Sequence, residues 1–71
     1  MTKKEEKYLF DLGKKIETLY LKSFTSQNEF AKRVECDART IRRIIRGKQN
    51  VSILLLLKIS EVLEVDLKEL L

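Results

Sequence analysis

The sequence predicts an all-α fold: a compact bundle of about five helices forming one domain over residues 1–71. Three observations predict it. Apolar residues recur at helical spacing along most of the chain. Four positions after the first helical stretch carry helix-start signatures, and most of these come with a matching apolar staple. There is no proline and there are only two glycines, which favours helices joined by short turns over sheets or disorder. A chain this short buries only about 60% of its unfolded surface, so its core is expected to be thin.

The elements follow in order. Leu9, Leu12, Ile16, Leu19 and Tyr20 line one face of a first helix running roughly from Lys4 to Lys22. Gly13 sits inside it, where glycine costs about 1 kcal/mol against alanine, and so marks a close helix contact. Ser26-Gln-Asn-Glu29 has the capping-box form and opens a second helix. Asp37 caps a third, running to about Arg46, with Gly47 suited to the left-handed residue that ends it. Ser52 caps a fourth, to about Leu63, and Asp66 with Glu69 repeats the capping box before a final turn. Cys36 with Ile41, Val51 with Leu56, and Val65 with Leu70 supply the staples. Only about three residues, Glu35 to Asp37, separate the second and third helices, which fixes a sharp angle between them.

Composition narrows the function. The 71 residues are 44% hydrophobic and 37% charged, with a net charge of +4. All five arginines fall between Arg33 and Arg46. From Lys32 to Lys48 seven basic residues face two acidic ones, a local +5 that leaves the rest of the chain at −1. Positive charge concentrated on one short segment is how a nucleic-acid surface is built. No apolar run approaches the ~20 residues of a membrane helix. The opening MTKKEEKYLF has no apolar signal core, so a cytoplasmic protein is expected. Its single cysteine, Cys36, is then a reduced thiol. With no histidine, no phosphate-binding glycine loop and no ligand cluster, neither an enzyme, a metal nor a cofactor is expected.

On the third helix Ile41, Ile44 and Ile45 point one way, toward helices two and four. Arg39, Arg42, Arg43 and Arg46 point the other way, at i, i+3, i+4 and i+7. The segment Ser26 to Gly47, read as S-Q-x-E-hydrophobic-A, a turn, a cap and I-x-x-hydrophobic-x-x-G, resembles the Cro/phage-repressor (XRE-type) helix-turn-helix family. Leu12-Gly13-x-x-Ile16 is similar to that family's first helix, and the likeness extends from about Leu9 to Leu71. Two positions depart from the pattern. Glu35 stands where glycine is common, and Ile45 stands where glutamate is common.

The resemblance implies a lambda-repressor-like domain with its helix-turn-helix at about residues 26–47. It implies a double-stranded DNA partner, with helix 38–46 in the major groove. Base-reading positions fall on Ala38, Arg39 and Arg43, with Thr40 and Arg42 flanking them. Arginine bonds guanine O6 and N7 with two donors, and Ala38 and the Thr40 methyl suit a thymine methyl. Gln27, at the start of helix two, resembles the family's phosphate clamp. Arg42, Arg46, Lys48, Gln49 and Asn50 are expected on the sugar-phosphate backbone.

Helix four contains Ile53 and Leu54 to Leu57 in succession, more than one buried stripe can use. Ile53, Leu56, Ile59, Ser60 and Leu63 form the expected core stripe. Leu54 and Leu57, beside Lys58 and Glu61, face away and predict a homodimer contact through Leu54, Leu57 and Glu61. The expected function is a sequence-specific transcriptional regulator on a palindromic operator. The alternative is an antitoxin-like module that holds a partner protein through those leucines.

Overall fold

The computed structural model describes residues 1–71 and shows four α-helices with a closing turn of 3-10 helix. They are α1 (Lys3–Ser23), α2 (Gln27–Val34), α3 (Ala38–Ile45) and α4 (Ile53–Leu63), followed by the turn at Leu67–Glu69. The bundle measures 32 × 24 × 20 Å.

Local chemistry sets the helix starts. Thr2 and Glu5 form a full reciprocal capping box, so α1 begins slightly before the expected Lys4. Ser26 accepts from Glu29 N at 3.2 Å, but the Glu29 carboxylate takes the Thr25 hydroxyl instead of closing the expected box. Asp37 Oδ1 accepts from Arg39 N at 3.2 Å and Ser52 Oγ from Leu55 N at 3.1 Å. Asp66 makes no side-chain cap, and the segment it was expected to open as a helix closes into a single 3-10 turn.

Three helices end alike. Cys36 N donates to Ala31 O, Lys48 N to Arg43 O and Val65 N to Ser60 O, each across five residues. Glu35, Gly47 and Glu64 supply the left-handed residue at φ 65°, 71° and 58°. Only one of the three is the glycine that this conformation favours.

One apolar cluster joins the helices. Ile16 and Tyr20 of α1, Phe30, Ala31 and Val34 of α2, the three isoleucines of α3, Leu56, Ile59 and Leu63 of α4, and Leu70 are all buried in it. The Tyr20 and Phe30 rings stack at 5.1 Å, with Phe24 tilted against Phe30 at 5.4 Å. Ser60 is the one buried polar side chain, and its hydroxyl donates to Leu57 O at 2.6 Å.

Two packing expectations are corrected. The isoleucine face of α3 packs mainly on α1 and α2, not on α2 and α4. Gly13 explains this, because a Cβ there would overlap the carbonyl oxygens of Ile44 and Ile45. Without one, α1 lies directly against the end of α3. Ile53 was expected in the core stripe of α4 but is 60% exposed. It sits in the first turn, at the rim of an open hollow shared with Tyr8 and Leu12 of α1, and the buried stripe starts at Leu56.

Candidate nucleic-acid interface

The turn from α2 to α3 places the candidate site. Val34 and Ile41 are buried on either side of it, and Cys36 packs half-buried between them. Glu35 turns the chain at φ 65°, where a residue other than glycine costs of order 1 kcal/mol. Lys58 of α4 donates to the Glu35 carboxylate, bracing the turn against the core helix. That bond, then the charge of Lys58, holds the Glu35 carboxyl below its ordinary value. At Cys36, burial and then the neighbouring Asp37 charge push the thiol up, so the thiolate is disfavoured.

With Ile41, Ile44 and Ile45 buried, the opposite face of α3 is fixed outward. Arg39, Arg42, Arg43 and Arg46 are all exposed on it. The three ion pairs of the chain are Lys7–Asp11, Lys14–Glu17 and Lys58–Glu35. None involves an arginine of α3, so these guanidinium donors have no internal acidic partner and are free for an external acceptor. A helix about 10–12 Å across matches a major groove ~12 Å wide.

The other candidates lie around that helix. Thr40 is half-exposed at its start, and Ala38 is half-buried with its methyl partly packed on the core. Gln27 is the first residue of α2. It opens, with Arg42, Arg46 and Lys48, onto one surface hollow. Lys48 and Asn50 are exposed in the loop after α3, and Gln49 is half-buried there. Leu54, Leu57 and Glu61 lie on exposed positions of α4, away from the arginine cluster in sequence and element, and Leu54 is 75% exposed. No group of three His, Cys, Asp or Glu side chains is placed to hold a metal. No helix is long and apolar enough to cross a membrane.

The same hollow that holds Gln27 and the arginines is also lined by Phe10 and Lys14 of α1. Sequence reasoning singled out neither residue, because periodicity shows which residues share a face but not which helix lies beside it.

Comparisons with known proteins agree with this geometry. The sequence model of the helix-turn-helix family matches residues 25–70. No curated protein sequence matches the chain. The crystal structure of the restriction-modification controller protein C.AhdI from Aeromonas hydrophila is similar, with a TM-score of 0.84 and 27% identity over 89% of this chain and 96% of that one. The residues that resemble the XRE pattern, the sharp α2–α3 turn and these matches lead to one conclusion: the chain belongs to the helix-turn-helix family, of the XRE type.

Proposed function

We propose that this protein is a sequence-specific transcriptional regulator that seats α3 in the major groove of double-stranded DNA. The observation that carries the reading is the outward face of α3, with four arginines and no internal acid to neutralise them. Arg39 and Arg43, with Ala38 and Thr40, read base edges from the first turns of the helix. Gln27, Arg42, Arg46, Lys48, Gln49 and Asn50 hold the sugar-phosphate backbone on either side. The likeness to a controller protein supports a role in gene regulation.

The protein acts as a homodimer. Leu54, Leu57 and Glu61 form the contact, and the exposed Ile53 beside them enlarges its apolar part. A two-fold dimer presents two α3 helices about one DNA turn, ~34 Å, apart and so reads a palindrome. Selection of bound duplexes from a random pool, at stated salt, tests both claims. Enrichment of a palindrome with that half-site spacing is expected. No enrichment over the starting pool overturns sequence-specific reading, and a single asymmetric site overturns the dimeric arrangement.

A further inference from the structure

We infer that α1 carries a second phosphate-binding element, a basic rail of Lys3, Lys7 and Lys14 with Phe10 set among them, which extends the DNA backbone contact beyond the helix-turn-helix. The inference rests on the DNA-binding reading above and deepens it. Lys3, Lys7, Phe10 and Lys14 stand at i, i+4, i+7 and i+11, which is one stripe of an α-helix. That stripe spans about 16 Å at 1.5 Å per residue.

The structure places Lys7, Phe10 and Lys14 of this stripe against the cationic end of α3, and helical spacing continues the stripe to Lys3. Phe10 and Lys14 share one hollow with Gln27, Arg42, Arg46 and Lys48. One turn earlier, Lys7 and Phe10 share a neighbouring hollow with Arg46, Gly47 and Lys48. Gly47 makes this approach possible. A Cβ at that position would lie 2.8 Å from Phe10 Cα and 2.9 Å from Phe10 N. The loop after α3 therefore rests directly on the α1 backbone, and the two sets of cations form one surface.

The side chains suit a phosphate track. Phe10 is half-exposed, and the Lys14 ammonium stands 5.4 Å from its ring centre, which holds that charge at the hollow. Lys14 also pairs with Glu17 at 3.3 Å and Lys7 with Asp11 at 3.3 Å. Both lysines are exposed, with Asp11 exposed and Glu17 half-buried, so each pair is weak and readily exchanged for a phosphate oxygen. Glu6 and Glu17 line the two hollows as well, and the cations outnumber them in each.

The test is the salt dependence of binding by the whole chain to a random-sequence duplex, which needs no operator. The double variant Lys7→Gln with Lys14→Gln is compared with Lys15→Gln and Lys22→Gln, which removes the same charge from the opposite flank of α1. Each phosphate that a lysine no longer neutralises lowers the slope of log K against log salt by about 0.9. With two phosphates released, the rail variant has a slope smaller by about 1.8, so raising salt fourfold weakens it about tenfold less than the parent. The flank variant keeps the parent slope. Equal slope changes in both variants, or none in the rail variant while the parent binds with a steep slope, overturn the rail and leave the α3 reading standing. A parent chain that binds no duplex overturns both. The four lysines are exposed, so matched thermal melts establish that each variant is folded.

Discussion

Arg43 is exposed in the middle of α3 with no carboxylate to bind, so its paired donors are uncommitted. Arg43→Ala is expected to cost about 1–3 kcal/mol on the selected site and to relax preference at one base pair. Competition binding against single-base variants of that site measures it, and equal loss on random DNA would remove Arg43 from base reading. Gln27→Ala, by contrast, is expected to weaken all duplexes alike under the proposed phosphate contact, because a phosphate carries no sequence information. The arginine face was legible in the sequence because the isoleucines alternate with it at helical spacing. Among the left-handed residues, Gly47 was legible from its residue type and Glu35 only through the family pattern, which often has glycine there; nothing marked Glu64. Both glutamates adopt the conformation that Gly47 adopts, at φ 65° and 58°. Glu64 has no ion pair to lose, so Glu64→Gly should raise stability by about 1 kcal/mol in urea unfolding. Glu35 differs because Lys58 lowers its carboxyl pKa in the folded protein. A lowered folded value means that the pair stabilises above the ordinary value of 4.5 and stops doing so as pH falls through the folded value. Glu35→Gln therefore melts below the parent at neutral pH, and the two melting curves converge in acid.

At the scale of elements, the meeting of α1 and α3 decides where the arginine-bearing helix stands. Gly13 lets α1 approach the Ile44 and Ile45 carbonyls, and Gly47 lets the next loop rest on Phe10. The sequence marked Gly13 as a close contact, but it could not name the partner. A helical period fixes the direction of a face, while its neighbour depends on turn angles set by Glu35 and by the loop from Gly47 to Ser52. The same limit misplaced Ile53, whose apolar character fits the stripe but which stays 60% exposed at the rim of an open hollow beside α1. Gly13→Ala puts a methyl group against backbone carbonyls, which cannot rotate aside as a side chain would. A loss of about 1–3 kcal/mol, the usual range for overpacking, is expected in thermal or urea unfolding. The variant that remains folded should also bind DNA less tightly, since the only relief is to move α3 away from α1. A variant as stable as the parent would mean that the helices are not in this contact in solution.

Across the whole molecule, charge and apolar surface are divided. Four of the five arginines lie on α3 or at its C-terminal end, while Glu61, Glu64, Asp66 and Glu69 fall within the last eleven residues. Between these regions in the chain, Ile53, Leu54 and Leu57 remain uncovered, at 60%, 75% and 43% exposure. Three neighbouring exposed aliphatic side chains on one helix support the proposed surface for association. The sequence showed the surplus of leucine in α4, but no pattern within one chain encodes the position of a second copy. Leu54→Glu with Leu57→Glu places like charges at the centre of the proposed two-fold contact, next to Glu61, and removes little from the folded monomer. The expected result is an unchanged thermal melt, a monomer mass in sedimentation equilibrium, and affinity for a full palindrome reduced to that for a single half-site. Linking two binding events raises affinity by about 10²–10⁴ without new DNA contacts, so the loss on the palindrome should fall in that range while half-site binding stays at the parent's level. A variant that still sediments as a dimer would move the interface to another face. A parent that is monomeric both free and on DNA would leave α3 reading a single half-site.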